Sequence, residues 1–135
     1  MLRRWVASGC AAALCIVTAY GAEPDAPAPP VDYKAGVEQK VRMLARDPTS
    51  ILYEWGSAPR MGWTDMAFQP RAEGLIGCVM VKGKNGFGGY DINWKTIVYV
   101  VDPITGHVLN SFQTFDGKTP RVGKHISHDP GCPEL

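Results

Sequence analysis

The chain has 135 residues, with 14 Lys and Arg against 13 Asp and Glu and a formal charge of +1. So balanced a charge leaves no electrostatic footprint for a nucleic-acid partner. The length suits one domain with one core rather than two.

Arg3 and Arg4 form a short positive region ahead of an uncharged, mostly apolar run over residues 5–20. Ala19-Tyr20-Gly21 then supplies small residues at the positions a signal peptidase reads. Residues 1–21 therefore read as a secretory signal peptide, short for a spanning helix of roughly 20 residues, and its removal leaves no stable membrane span. The alternatives are an uncleaved anchor and a lipoprotein joined at Cys10, the latter leaving almost no hydrophobic region ahead of its cysteine. The expected location is the periplasm or the outside of the cell. After removal of Arg3 and Arg4, twelve basic residues face thirteen acidic ones. Residues 22–31 hold the run EPDAPAPP and read as a Pro/Ala-rich linker that cannot continue a helix. Residues 32–135 form the single folded domain.

Within that domain, Asp32 is placed to cap a helix whose apolar positions Tyr33, Val37, Val41 and Leu44 recur at helical spacing. Glu38 and Arg42 can pair on its polar face, and Pro48 lies beyond its end. Ile51, Tyr53 and Trp55 alternate as a strand requires. Residues 57–73 read as a long connection with room for a short helical turn over 64–68. Residues 75–82 are an apolar run suited to a central strand, and the β-branched, aromatic stretch KTIVYVV over 95–101 is the most secure strand. Asp102-Pro103-Ile104-Thr105-Gly106 is a turn in which Pro fixes φ and Gly takes the positive-φ position, and residues 107–114 return as its partner strand. The expected fold is α+β, with one N-terminal amphipathic helix packed on an antiparallel meander of about four strands.

Cys10 and Cys15 leave with the signal, so the mature chain keeps Cys78 and Cys132. An even pair in an oxidising compartment predicts a disulfide, which closes a loop long enough to contribute about 4 kcal/mol by chain entropy. The alternative is a nucleophilic thiol at either position, which would need a neighbouring base.

The segment GCVMVKGKNGFGGY over residues 77–90 is the most unusual in the chain. Asn85-Gly86 is a hairpin signal of the type I′ turn, which demands positive φ at both central residues, and Gly88-Gly89 widens the connection. Phosphate-binding patterns fail here: no Lys-Ser or Lys-Thr follows at Walker spacing, and no helix starts after Gly86-Phe87-Gly88. No cofactor is implied. Lys84, Asn85, Phe87, Tyr90 and Trp94 make a candidate binding surface for an envelope protein or a glycan, since rigid rings beside cations give contact area at low entropic cost. The competing reading turns the same rings inward to close the end of the core.

Leu44-Ala45-Arg46-Asp47-Pro48-Thr49-Ser50, followed by Cys78 and by Lys84-Asn85-Gly86-Phe87-Gly88-Gly89-Tyr90, resembles a set of small exported bacterial proteins, some phage-associated. In those proteins a helix ends in Leu-x-Asp-Pro-x-Ser, and a cysteine strand leads to a Lys-Asn-x-aromatic-Gly-Gly-Tyr loop. The likeness covers roughly residues 35–101. Val79 departs from it, where a glycine often follows the cysteine. The resemblance implies export and a shared domain and supplies no active site.

At the C-terminus, His125, His128, Asp129 and Cys132 are possible zinc ligands, yet Asp129-Pro130-Gly131 is also a plain turn. A disulfide at Cys132 would remove the best ligand, so no metal is expected. Three functions fit the sequence: a disulfide-stabilised exported binding, inhibitory or accessory module, a small Cys/His-dependent hydrolase using Cys78, His125 and His128, and a structural envelope component. The first accounts for most of these features, and catalysis is not required.

Overall fold

The computed structural model describes residues 32–114 and 118–134, so the signal peptide and linker lie outside the described residues. One helix, α1 (Tyr33–Leu44), opens the described region, followed by β1 (Leu52–Trp55), β2 (Arg60–Thr64), β3 (Ala72–Lys82), β4 (Lys95–Val101) and β5 (Val108–Thr114). The fold is α+β with a five-stranded antiparallel sheet. No helix among the described residues is long and apolar enough to cross a membrane.

Local chemistry explains the helix ends. The Asp32 carboxylate accepts the Ala35 N–H at 3.1 Å, and Arg42 reaches Glu38 at 3.0 Å one turn away. The backbone turns extended at Ala45, before Pro48. Val37 and Val41 are buried, but Leu44 is 74% exposed, contrary to the expectation from its spacing. Leu44 sits in the last turn, where the side chains line a cleft instead of the sheet.

The sheet order is β1-β3-β4-β5, and β2 also pairs with β3. β1 takes the end of β3 from Val79 to Lys82 and β2 takes the other end from Ala72 to Ile76, so the two share one edge in tandem. The long connection expected over residues 57–73 is thus wrong in its first part, and no helical turn forms over 64–68. β3 extends back to Ala72 and offers five residues of free ladder, which the RMGWT segment takes up. Phe68 has φ 65, incompatible with a helical turn.

β3 is central and covered on both faces, which is why it reads as a continuous apolar run. On the helix face, Leu75, Val79, Val81, Tyr99 and Val101 pack against Val37 and Val41. Tyr33, Tyr53 and Trp55 extend this layer around Tyr99, with ring centroids about 6 Å apart. Burial, with the Tyr33 phenol second, pushes the Tyr99 phenol well above its ordinary range.

The opposite face is covered by the C-terminal tail. Ile126 is wholly buried against Ile76, Val98 and Val100. The tail pairs with β2 through Asp65 N–H to the His125 carbonyl at 2.8 Å and Ser127 N–H to the Trp63 carbonyl at 3.0 Å. It ends in the Cys78–Cys132 disulfide, with Cα atoms 4.9 Å apart. Where β1 gives way to β2, the Ser57 N–H donates to the Gly131 carbonyl at 2.9 Å. The interruption of that edge is therefore the dock of the tail.

The Asp102 turn forms as expected: its carboxylate accepts the Ile104 and Thr105 N–H groups at 2.8 Å each, and Gly106 has φ 72.

Candidate functional site

Two segments distant in sequence meet at the open end of β3. Ser50 is buried, and its hydroxyl donates to the Asp47 carbonyl at 3.1 Å while accepting the Lys84 N–H at 3.1 Å. The helix-end segment 46–50 and the glycine-rich segment 84–90 are thereby joined through one hydroxyl. Asp47 is itself fixed: the Thr49 hydroxyl donates to its carboxylate at 2.7 Å and the Thr49 N–H at 3.1 Å, which hold the carboxyl below the usual carboxylate range.

The glycine-rich hairpin is closed differently from the expected type I′ turn. Neither Asn85 nor Gly86 has positive φ; Gly88 alone in the loop does, at 84°. The Asn85 carboxamide oxygen accepts the Phe87 N–H at 3.0 Å and the Gly89 N–H at 3.3 Å. The Gly88 N–H returns to the Asn85 carbonyl at 3.1 Å, and the Asn85 N–H donates to Gly89 at 2.7 Å. This is a wider loop with one left-handed glycine, built on an Asn side chain. Arg46 lies over Gly86: its Nη1 is 3.0 Å from where a Cβ would sit.

This closure holds the tip away from the core. Phe87 is 100% exposed and Ile92 91%, while Tyr90 is partly covered, with the Lys84 ammonium 5.7 Å from its ring. Trp94 is half-buried on the tail face of the sheet, with Lys82 5.7 Å from its ring. The inward alternative for these aromatics fails at Phe87.

Behind the hairpin lies a cleft of about 460 Å³ between the end of α1 and the start of β4. Its floor is aliphatic, formed by Val41, Ile51, Val81 and Ile97, and no aromatic ring lines it. Arg46, Lys84 and Lys95 stand at its rim with Asp47 and Asp91. Lys95 is 3.7 Å from Asp91, whereas Arg46 and Lys84 have no acidic partner within 4.0 Å among the described residues. The sequence pointed to the hairpin but not to this cleft, because its floor comes from α1, β3, β4 and the loop ahead of β1.

The C-terminal candidates are held by structural bonds. His125 Nδ1 donates to the Asp65 carbonyl at 3.1 Å, and Asp129 accepts the Gly131 N–H at 2.8 Å. No group of three or more candidate metal ligands converges among the described residues. Both sulfurs are spent in the disulfide, so neither cysteine is a thiolate nucleophile in the oxidised domain. The Ser127 hydroxyl accepts the Trp63 N–H at 3.0 Å and shares a hydrogen bond with His128 Nδ1 at 2.9 Å. His128 Nε2 is buried without a partner among the described residues.

Burial first, then the charge of Arg60, lowers the His128 pKa, against a smaller opposing pull from Asp129. A depressed folded-state pKa makes this group stabilising above the ordinary histidine value, with that contribution lost as pH falls through it. The urea midpoint should therefore drop between pH 7.5 and 5.5, and His128→Gln should flatten part of that slope. An unchanged slope in the variant would assign the pH dependence elsewhere.

No protein-family model, curated protein or solved structure matches this chain.

Proposed function

We propose that this chain is an exported, disulfide-stabilised binding module that contacts an envelope protein or glycan through residues 84–94. The observation carrying the reading is a fully exposed Phe87 at the tip of a hairpin whose backbone is fastened at Asn85 and Ser50. An exposed ring on a pre-ordered loop gives contact area without a large ordering cost on binding. The Cys78–Cys132 disulfide supports export, because such bonds persist in oxidising compartments. Both elements of the resemblance to small exported bacterial proteins, the helix end and the glycine-rich loop, lie at this one place.

The test is capture from an envelope extract by the wild-type domain and by Phe87→Ala/Tyr90→Ala. Capture should fall by about tenfold or more, as for loss of an aromatic anchor. The variant's stability should stay within about 0.5 kcal/mol of wild type, since neither ring is part of the core. Equal capture by both proteins would overturn the reading, and no capture by either would favour a structural envelope component.

A further inference from the structure

We infer that the cleft behind the hairpin is a binding site for an aliphatic monocarboxylate, a medium-chain acyl acid. This goes beyond the partner contact at the hairpin tip and can fail separately from it. Three observations select the ligand chemistry. The floor of Val41, Ile51, Val81 and Ile97 is branched aliphatic, so a hydrocarbon chain finds apolar contact there, while a sugar ring finds no aromatic face to stack on. The rim carries Arg46, Lys84 and Lys95 against Asp47 and Asp91, a surplus of one positive charge that matches a monoanion better than a phosphate.

The third observation is the placement of Arg46 and Lys84, which have no acidic partner within 4.0 Å among the described residues. Arg46 lies over Gly86, where a Cβ would crowd its guanidinium, and the Lys84 backbone is fixed to Ser50. A guanidinium can grip a carboxylate through two parallel N–H bonds. The volume of about 460 Å³ falls within the range of small-molecule pockets, roughly 300–1,000 Å³. A polypeptide end would carry the same carboxylate, but it would also need backbone partners. The N–H groups of Lys84, Asn85 and Asp91 are already spent on Ser50, Gly89 and Gly83.

The experiment is a titration of the intact disulfide-bonded domain with decanoate, followed by amide chemical shifts and calorimetry at low salt. Decanoate should shift the amides of Ile51, Val81, Ile97 and Lys84. Arg46→Gln/Lys84→Gln should weaken it about tenfold, and decanol should bind the wild type as weakly as decanoate binds that variant. Phe87→Ala should bind decanoate normally, which separates this site from the partner contact. The assignment is overturned if decanoate shows no saturable shifts up to its solubility limit, if the double variant binds it unchanged, or if acetyl-Val-Leu binds more tightly than decanoate.

Discussion

Replacing Cys132 with Ser is expected to lower the melting temperature by about 15–25 °C, given a cross-link contribution of about 4 kcal/mol in a domain of this size. The disulfide spans 54 residues, and a loop that long loses much entropy when its ends are tied in the unfolded chain. Cys78 is wholly buried and would remain as a small apolar thiol, so the variant removes the link without opening a cavity beneath it. The tail also depends on this anchor for its position over Ile76, Val98 and Val100, because its ladder to β2 is only a few bonds long. Hydrogen exchange should therefore speed up most at Ser57, which bonds Gly131, and then at Asp65 and Ser127. A melting temperature within about 5 °C of wild type would show that packing of Ile126, not the cross-link, holds the tail.

The second large effect is expected at Gly77. In the β3–β4 register it sits opposite Tyr99, and a Cβ at Gly77 would run into the Tyr99 ring. The ring has nowhere to go, since it is stacked on Tyr33 and lies edge-on to Trp55. The β3 backbone is equally constrained between β1, β2 and β4. Gly77→Ala should cost about 2–3 kcal/mol in urea unfolding, the scale of an overpacked core. In a Tyr99→Leu background the same change should cost little, because the colliding ring is gone and Ala loses less entropy than Gly in a strand. The coupling between the two positions should be about 1–3 kcal/mol. Additive effects would mean that Gly77 serves its own backbone and not the ring.

Most secondary structure was legible because each element carries its own local reason. The Asp32 cap, the Glu38–Arg42 pair, the β-branched run of β4 and the Asp102 turn need no distant partner to be read. The pairing of Cys78 with Cys132 followed from counting the cysteines left once residues 1–21 are read as an expected secretory signal. β2 was not legible, because RMGWT holds a glycine, buries only Thr64 and is stabilised as a strand by the free ladder of β3. The hairpin was half legible: its place was right, but Asn85 works through its side chain, which its dipeptide pattern does not reveal.

The order of residues was enough for the α+β class, the covalent closure of the domain and the location of an unusual loop. Those follow from periodicity, composition and cysteine count, which are local or additive properties of the chain. It took the folded chain to reveal that Phe87 points outward, that Gly77 makes room for Tyr99, and that Ser50 joins two separated segments beside an aliphatic cleft. The last two depend on a side chain arriving from another part of the chain, and that proximity in space is not written in the order of residues.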